Sequence, residues 1–215
     1  MNFLVMRHGQ TDYNRQHLLQ GRRDIPLSTT GLEQARQAAE EIRRLGISFT
    51  RVCSSPLLRA VQTASIVSGF PSDEIQKEDR LLEINFGPLE GKKVEDLDDN
   101  MRNFFNQPDA YCPPEGAESY ESVLARMQSL LTDMSQVQEE GTTLLLSHGA
   151  ALHAMYMLVT GITLPHYWDK AIGNCGWFEI CQEDGTWKIL RESMHAEAWT
   201  LPAGSFLNGE EKQHL

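Results

Sequence analysis

Two short runs that each end at a histidine-glycine pair constrain this chain more than any other feature. Phe3-Leu4-Val5-Met6 leads into Arg7-His8-Gly9-Gln10-Thr11, and residues 142–146 lead into Ser147-His148-Gly149. Apolar runs of this length bounded by polar turns read as buried strands. A third junction has the same form. A strand over 50–53 precedes Ser54-Ser55-Pro56, where serine as N-cap and proline at the first helical position predict a helix start. Leu58, Val61, Ala64 and Val67 give that helix its inner face, and Gly69 closes it. Strands alternating with helices call for an α/β fold, its sheet covered on both faces.

The remaining elements fit the same plan. Thr30 and Glu33 have capping-box spacing, and Leu32, Ala35, Ala38, Ile42 and Leu45 make an amphipathic helix ending at Gly46. A strand is expected over 75–77 and a helix over 94–105, with the acidic run Glu95, Asp96, Asp98 and Asp99 as its solvated face. Ser119 caps a long helix with the inner stripe Val123, Met127, Leu130, Met134 and Val137, ended by Gly141. The helix over 150–159 is apolar on nearly every side, and Glu183-Asp184-Gly185 joins a hairpin. No repeat or linker divides the chain. A single domain over 1–215 is expected, with a lid or specificity insertion at about 84–118 and a loose tail at about 202–215.

Composition narrows the partners. With 40% hydrophobic and 23% charged residues, the chain has the make-up of an ordinary globule. A net charge of -11 argues against nucleic acid, whose backbone attracts basic surfaces, yet an acidic protein can still hold a cationic pocket. No window approaches the ~20 apolar residues that span a bilayer, and four apolar residues before Arg7 are too few for a signal peptide. Cys53, Cys112, Cys175 and Cys181 form no CxxC pair, so free thiols in a reducing cytoplasm are expected.

The three junctions carry related cargo. Arg7 and His8 follow the first strand, Arg59 lies in the first turn after the second, and His148 follows the strand over 142–146. Ligands of open α/β sheets bind outside the carboxyl ends of the strands. If these strands are parallel neighbours, four ionisable groups meet at one edge, an arrangement that needs an anion among them. A tetrahedral dianion suits arginine's planar fork, and the helix beginning at Pro56 could aim its N-terminal dipole at the same place. Gly9 would let the backbone come close to the ligand, with Gln20 and Gly21 at the mouth.

Arg7-His8-Gly9-Gln10-Thr11, the block from Ser55 through Leu57, Arg59, Thr63 and Ala64, and Ser147-His148-Gly149 together resemble the histidine phosphatase superfamily. Within it the chain is similar to the phosphoglycerate mutase-like branch over roughly residues 3–180. The resemblance implies a three-layer α/β/α fold with a mostly parallel sheet. It also implies that His8 is the nucleophile that becomes phosphohistidine. Arg7, Arg59 and His148 would clamp phosphate, Asn14 would add a contact, and Glu83 would be the general acid/base. Gly149 joins the expected substrate-binding set beside His148, Gln20 and Gly21. No metal is required on this reading, because arginines neutralise the developing charge.

The family contains phosphatases and mutases. Mutases resemble Glu-Arg-His-Tyr-Gly where this chain reads Glu83-Ile84-Asn85-Phe86-Gly87, and they carry an Arg-Arg pair where only Arg102 stands. Fewer cations, and Glu90-Gly91 shortly after Glu83, favour a phosphatase acting on a small phosphorylated metabolite, as monomer or homodimer. The alternatives are a phosphoglycerate mutase, for which 2,3-bisphosphoglycerate would be the cofactor, and a non-catalytic phosphate-binding module. Phe86, Phe104, Phe105 and Tyr111 could line the leaving-group side, and Lys92, Lys93 and Arg102 could meet substrate. His17 and His195 are assigned to the surface, and His153 to its own helix. Gly87-Pro88-Leu89-Glu90-Gly91-Lys92 is one residue short of a P-loop, and His148 and His153 are five apart, not the four of a zinc-binding helix face.

Overall fold

A computed structural model describes residues 1–137 and 140–195, so the tail expected at about 202–215 lies outside the described residues. In chain order the strands are β1 (Asn2–Arg7), β2 (Phe49–Ser54), β3 (Gln76–Lys77), β4 (Thr142–Ser147), β5 (Trp177–Glu183) and β6 (Thr186–Ser193). The helices are α1 (Asp12–Arg15), α2 (Thr29–Arg44), α3 (Leu58–Ser68), α4 (Asp99–Asn106), α5 (Tyr120–Met134) and α6 (Gly149–Thr160). The strands form one sheet in the order β3-β2-β4-β1-β5-β6. β3, β2, β4 and β1 run parallel, and β5 and β6 are antiparallel additions. At the hairpin, Asp184 and Gly185 both have positive φ, 51° and 77°, as a two-residue primed turn requires.

Alternation along the strands sorts side chains to the two faces of the sheet. Phe3, Val5 and Leu145 pack with Val123, Met127 and Leu130 of α5 and with the first turns of α6. Leu4, Met6, Leu144 and Leu146 pack on the other side with Ala35, Ala38 and Ile42 of α2 and Ala60, Val61 and Ala64 of α3. The mostly parallel sheet therefore lies between two helical layers, as expected.

Several element ends differ from the sequence reading. α2 is capped by Ser28, whose Oγ accepts from the Gly31 N–H at 3.1 Å, so the spacing of Thr30 and Glu33 makes no capping box. Pro56 stands outside α3, whose N-cap is Leu57. Residues 94–105 divide into a 3-10 turn over Val94–Asp96 and α4. Glu95, Asp96, Asp98 and Asp99 are all exposed, as expected, and Asp98 also caps α4 by accepting from the Met101 N–H at 2.9 Å. α5 stops at Met134, before Gly141, and α6 is fully buried only through Met155.

Candidate active site

Sheet register brings the site together. Arg7 pairs with Ser147 and Ser54 pairs with Leu146, so three parallel strands end level. The backbone continues the ladder one step further: the His8 N–H donates to Ser147 O at 3.1 Å and the Ser55 N–H to Leu146 O at 2.9 Å. His8 and His148 thus leave neighbouring strands side by side, with ring centroids 5.0 Å apart.

Arg59, on the first turn of α3, lies between them. Its Nε donates toward His8 Nε2 at 3.3 Å and His148 Nδ1 at 3.2 Å. Its terminal nitrogens donate to Arg23 O at 2.7 Å and Gly21 O at 2.8 Å. All three side chains are enclosed, with exposures of 1% for His8 and 0% for Arg59 and His148.

The hydrogen bonds fix both tautomers. His8 Nδ1 lies 2.7 Å from the Gly9 carbonyl, which can only accept, so the proton sits on Nδ1 and Nε2 is unprotonated, its lone pair directed at Arg59 Nε. His148 accepts at Nδ1 and donates from Nε2 to Ser55 Oγ, 2.7 Å away. Burial, reinforced by the Arg59 charge, holds both rings well below their ordinary value of 6.5. The four ionisable groups expected from the sequence to meet here do not all carry charge, because both imidazoles are neutral. Arg59 itself is pushed down by burial to about 10 and remains charged at neutral pH.

Above this buried layer opens a cavity lined by Arg7, Asn14, Gln20, Gly21, Glu83 and Gly149 among others. Arg7 donates from Nη1 to Ile172 O at 2.6 Å. A Cβ placed on Gly149 would lie 3.5 Å from Glu83 Oε2 and 3.6 Å from Arg7 Nη2, so arginine and carboxylate flank this glycine. Asn14 uses Oδ1 to accept from the Thr11 N–H at 3.0 Å, and Gln20 Oε1 accepts from Thr11 Oγ1 at 2.8 Å.

Glu83 is held from three directions. Ser147 Oγ donates to Leu81 O at 2.7 Å, and Arg126 Nη1 donates to Leu82 O at 2.7 Å, which fixes the segment leading to it. Oε1 accepts from the Ile84 and Ala151 N–H groups at 3.0 and 3.2 Å, and Oε2 accepts from the Ala150 N–H at 3.3 Å. Of roughly four lone-pair positions on a carboxylate, three are taken and one on Oε2 is left.

A family model for the histidine phosphatase superfamily (branch 1) matches residues 3–194. This chain belongs to that superfamily. A relative named "Probable phosphoglycerate mutase GpmB" from Enterobacter sp. (strain 638) is 34% identical over 189 residues, covering 85% of this chain and 86% of its own length. A phosphoserine phosphatase variant from Entamoeba histolytica, solved with phosphoserine, superposes with a TM-score of 0.78 at 25% identity, covering 91% of this chain and 98% of that one. Bacillus stearothermophilus YhfR gives a TM-score of 0.79 at 25% identity, covering 88% and 95% respectively. The fold is thus the phosphoglycerate mutase-like one, and the relatives of this histidine phosphatase superfamily member include proteins named for both chemistries.

Some expectations about this superfamily member change in detail. The N-terminus of α3 is occupied by the protein's own carboxylate, since the Leu58 N–H donates to Asp24 Oδ1 at 2.6 Å, and no residue of α3 is among the cavity lining. The helix end that reaches the cavity is that of α6, and Glu83 occupies it. Gly9 is approached by backbone: a Cβ there would lie 2.6 Å from the Gly31 carbonyl oxygen. His17 is exposed yet lines the cavity, whereas His195 contacts Glu41 elsewhere. Phe86, Phe104 and Phe105 line the cavity, but Tyr111, Lys92, Lys93 and Arg102 do not. Sequence reasoning missed Ser55, Thr63, Arg126 and Asn174. Thr63 Oγ1 accepts from the Gly9 N–H at 3.0 Å, and Asn174 Nδ2 donates to His8 O at 2.9 Å. Ser55 and Thr63 stand inside the block that carries the resemblance, which is the one signal that could have found them. Among the described residues no three His, Cys, Asp or Glu side chains cluster as a metal site. No helix among them is long and apolar enough to cross a membrane.

Proposed function

We propose that this chain is a phosphatase that hydrolyses a small phosphate monoester through a phosphohistidine on His8. The observation that carries the reading is a neutral His8 whose proton is committed at Nδ1 to the Gly9 carbonyl and whose unprotonated Nε2 accepts the 3.3 Å contact from Arg59 Nε. Attack by Nε2 forms the N–P bond as the ester P–O bond breaks. Arg59 Nε exchanges its imidazole lone pairs for a phosphoryl oxygen, Arg7 takes another and Asn14 adds a contact, while His148, its Nδ1 released by Arg59, takes up a proton there to join the clamp. The free position on Glu83 Oε2 carries the proton to the leaving oxygen. Glu83 then takes a proton from the water that attacks phosphorus and returns His8 to its neutral form.

Hydrolysis is favoured over mutase chemistry by the cavity lining, where Arg7 is the sole arginine or lysine among the described residues. A mutase must retain a bisphosphate while it turns over, which calls for cations at both ends of the cavity. On this reading residues 84–118 act as the specificity insertion, since Phe86, Val94, Phe104 and Phe105 reach the cavity from it. The four free thiols fit a reducing compartment such as the cytoplasm.

The test is rapid quenching into alkaline denaturant with phosphate-labelled substrate. Label should appear on the wild-type chain with release of inorganic phosphate. His8→Ala should abolish the label and lower turnover by about 10³-fold or more. Wild-type rates in that variant would end the proposal, and label passed to a second hydroxyl would establish the mutase.

A further inference from the structure

Away from Arg7 and Glu83, the cavity presents carbon to the rest of the substrate. Its wall there is built from Leu18, Phe86, Phe104, Phe105, Trp168 and Ile172. The rings pack about Phe104, with centroids 5.1 Å away for Phe86, 4.8 Å for Phe105 and 5.3 Å for Trp168. Aromatic walls often offer a ligand their polar tips. Here those tips are consumed: Trp168 Nε1 donates to Phe104 O at 2.8 Å and to Tyr120 Oη at 2.7 Å, and Tyr120 Oη donates to Phe104 O. His153 has both ring nitrogens against carbonyls, 2.7 Å from Gly149 O and 2.8 Å from Lys170 O. Lys93 pairs with Glu95 and Arg102 with Asp99, both outside the lining.

We propose that the site selects phosphate monoesters of uncharged, apolar alcohols, with an alkyl or arylmethyl group seated against Phe105 and Trp168. It discriminates against leaving groups that carry a carboxylate or an ammonium. A carboxylate against these six side chains would lose its hydration with no uncommitted donor among them to replace it, although the exposed His17 also lines the cavity. An apolar group would trade water for the rings. The inference rests on the phosphatase reading.

The test compares kcat/KM of the intact protein for benzyl phosphate, glycerol 3-phosphate, 3-phosphoglycerate and phosphoserine. All four expel an alkoxide, so leaving-group reactivity is broadly matched. Benzyl phosphate should exceed phosphoserine and 3-phosphoglycerate by about 10²-fold or more. Phe105→Ala, at a half-buried position, should shrink that ratio about 10-fold. Equal or faster hydrolysis of phosphoserine or 3-phosphoglycerate, or an unchanged ratio in the variant, overturns the inference and leaves the phosphatase reading intact. No phosphate release from any ester and no labelled His8 overturns both.

Discussion

Arg59 uses its donors in three directions at once, and that separates it from any lysine. One edge of the guanidinium serves two imidazole lone pairs while its terminal nitrogens grip the carbonyls of Gly21 and Arg23. An ammonium on a flexible stem keeps the charge and loses the simultaneous reach. Arg59→Lys should therefore lower kcat/KM by about 10²-fold. It should also loosen the 20–23 segment, read as faster amide exchange there. Unchanged steady-state kinetics would show that Arg59 supplies only charge. Arg7 and His8 were legible because they end an apolar run. The roles of Ser55, Thr63 and Arg126 were harder to read, because each acts through a group that is remote in sequence. Arg126, for example, holds Leu82 O from 44 positions away.

At the scale of elements, a close backbone junction joins the loop after β1 to the start of α2. A Cβ on Gly31 would lie 2.0 Å from the Gln10 carbonyl oxygen, and one on Gly9 would lie 2.6 Å from the Gly31 carbonyl oxygen. Glycine-to-alanine changes inside helices ordinarily stabilise by about 1 kcal/mol. Gly31→Ala should reverse that sign, lowering the melting temperature by several degrees, because two backbones must separate. A melting temperature equal to or above wild type in a calorimetric scan would contradict the close packing. The periodic faces of α2, α3 and α5 could be read from sequence, since burial of a stripe leaves a 3.6-residue signature. Their ends could not always be. Ser28 outcompetes Thr30 as a cap, and Asp98 cuts a continuous-looking pattern into a turn and a helix. The placement of Glu83 on the first turn of α6 leaves no local trace at all.

For the whole molecule, the buried histidines make stability depend on pH. His8 and His148 are held well below 6.5, and burial pushes His153 down to about 4, although its two carbonyl contacts favour the protonated ring. The unfolded chain takes up protons below about 6.5 that the folded chain refuses, so stability is full above that pH and falls as pH drops toward the folded values. His153 alone contributes about 3 kcal/mol across its window. Glu78, lowered by its hydrogen bond from Arg80, adds its loss only below its ordinary value of 4.5. The urea midpoint should therefore fall between pH 7 and pH 5, and a flat profile would mean that these rings take up protons as readily in the folded chain as in the unfolded one. The level ends of β1, β2 and β4, which bring the histidines together, have one further consequence. Strand register changes only in whole residues, and each step turns every side chain to the opposite face. The spacing of the two imidazoles is therefore quantised. Small disturbances elsewhere leave it where it is, and a mispaired sheet is the smallest error that could change it.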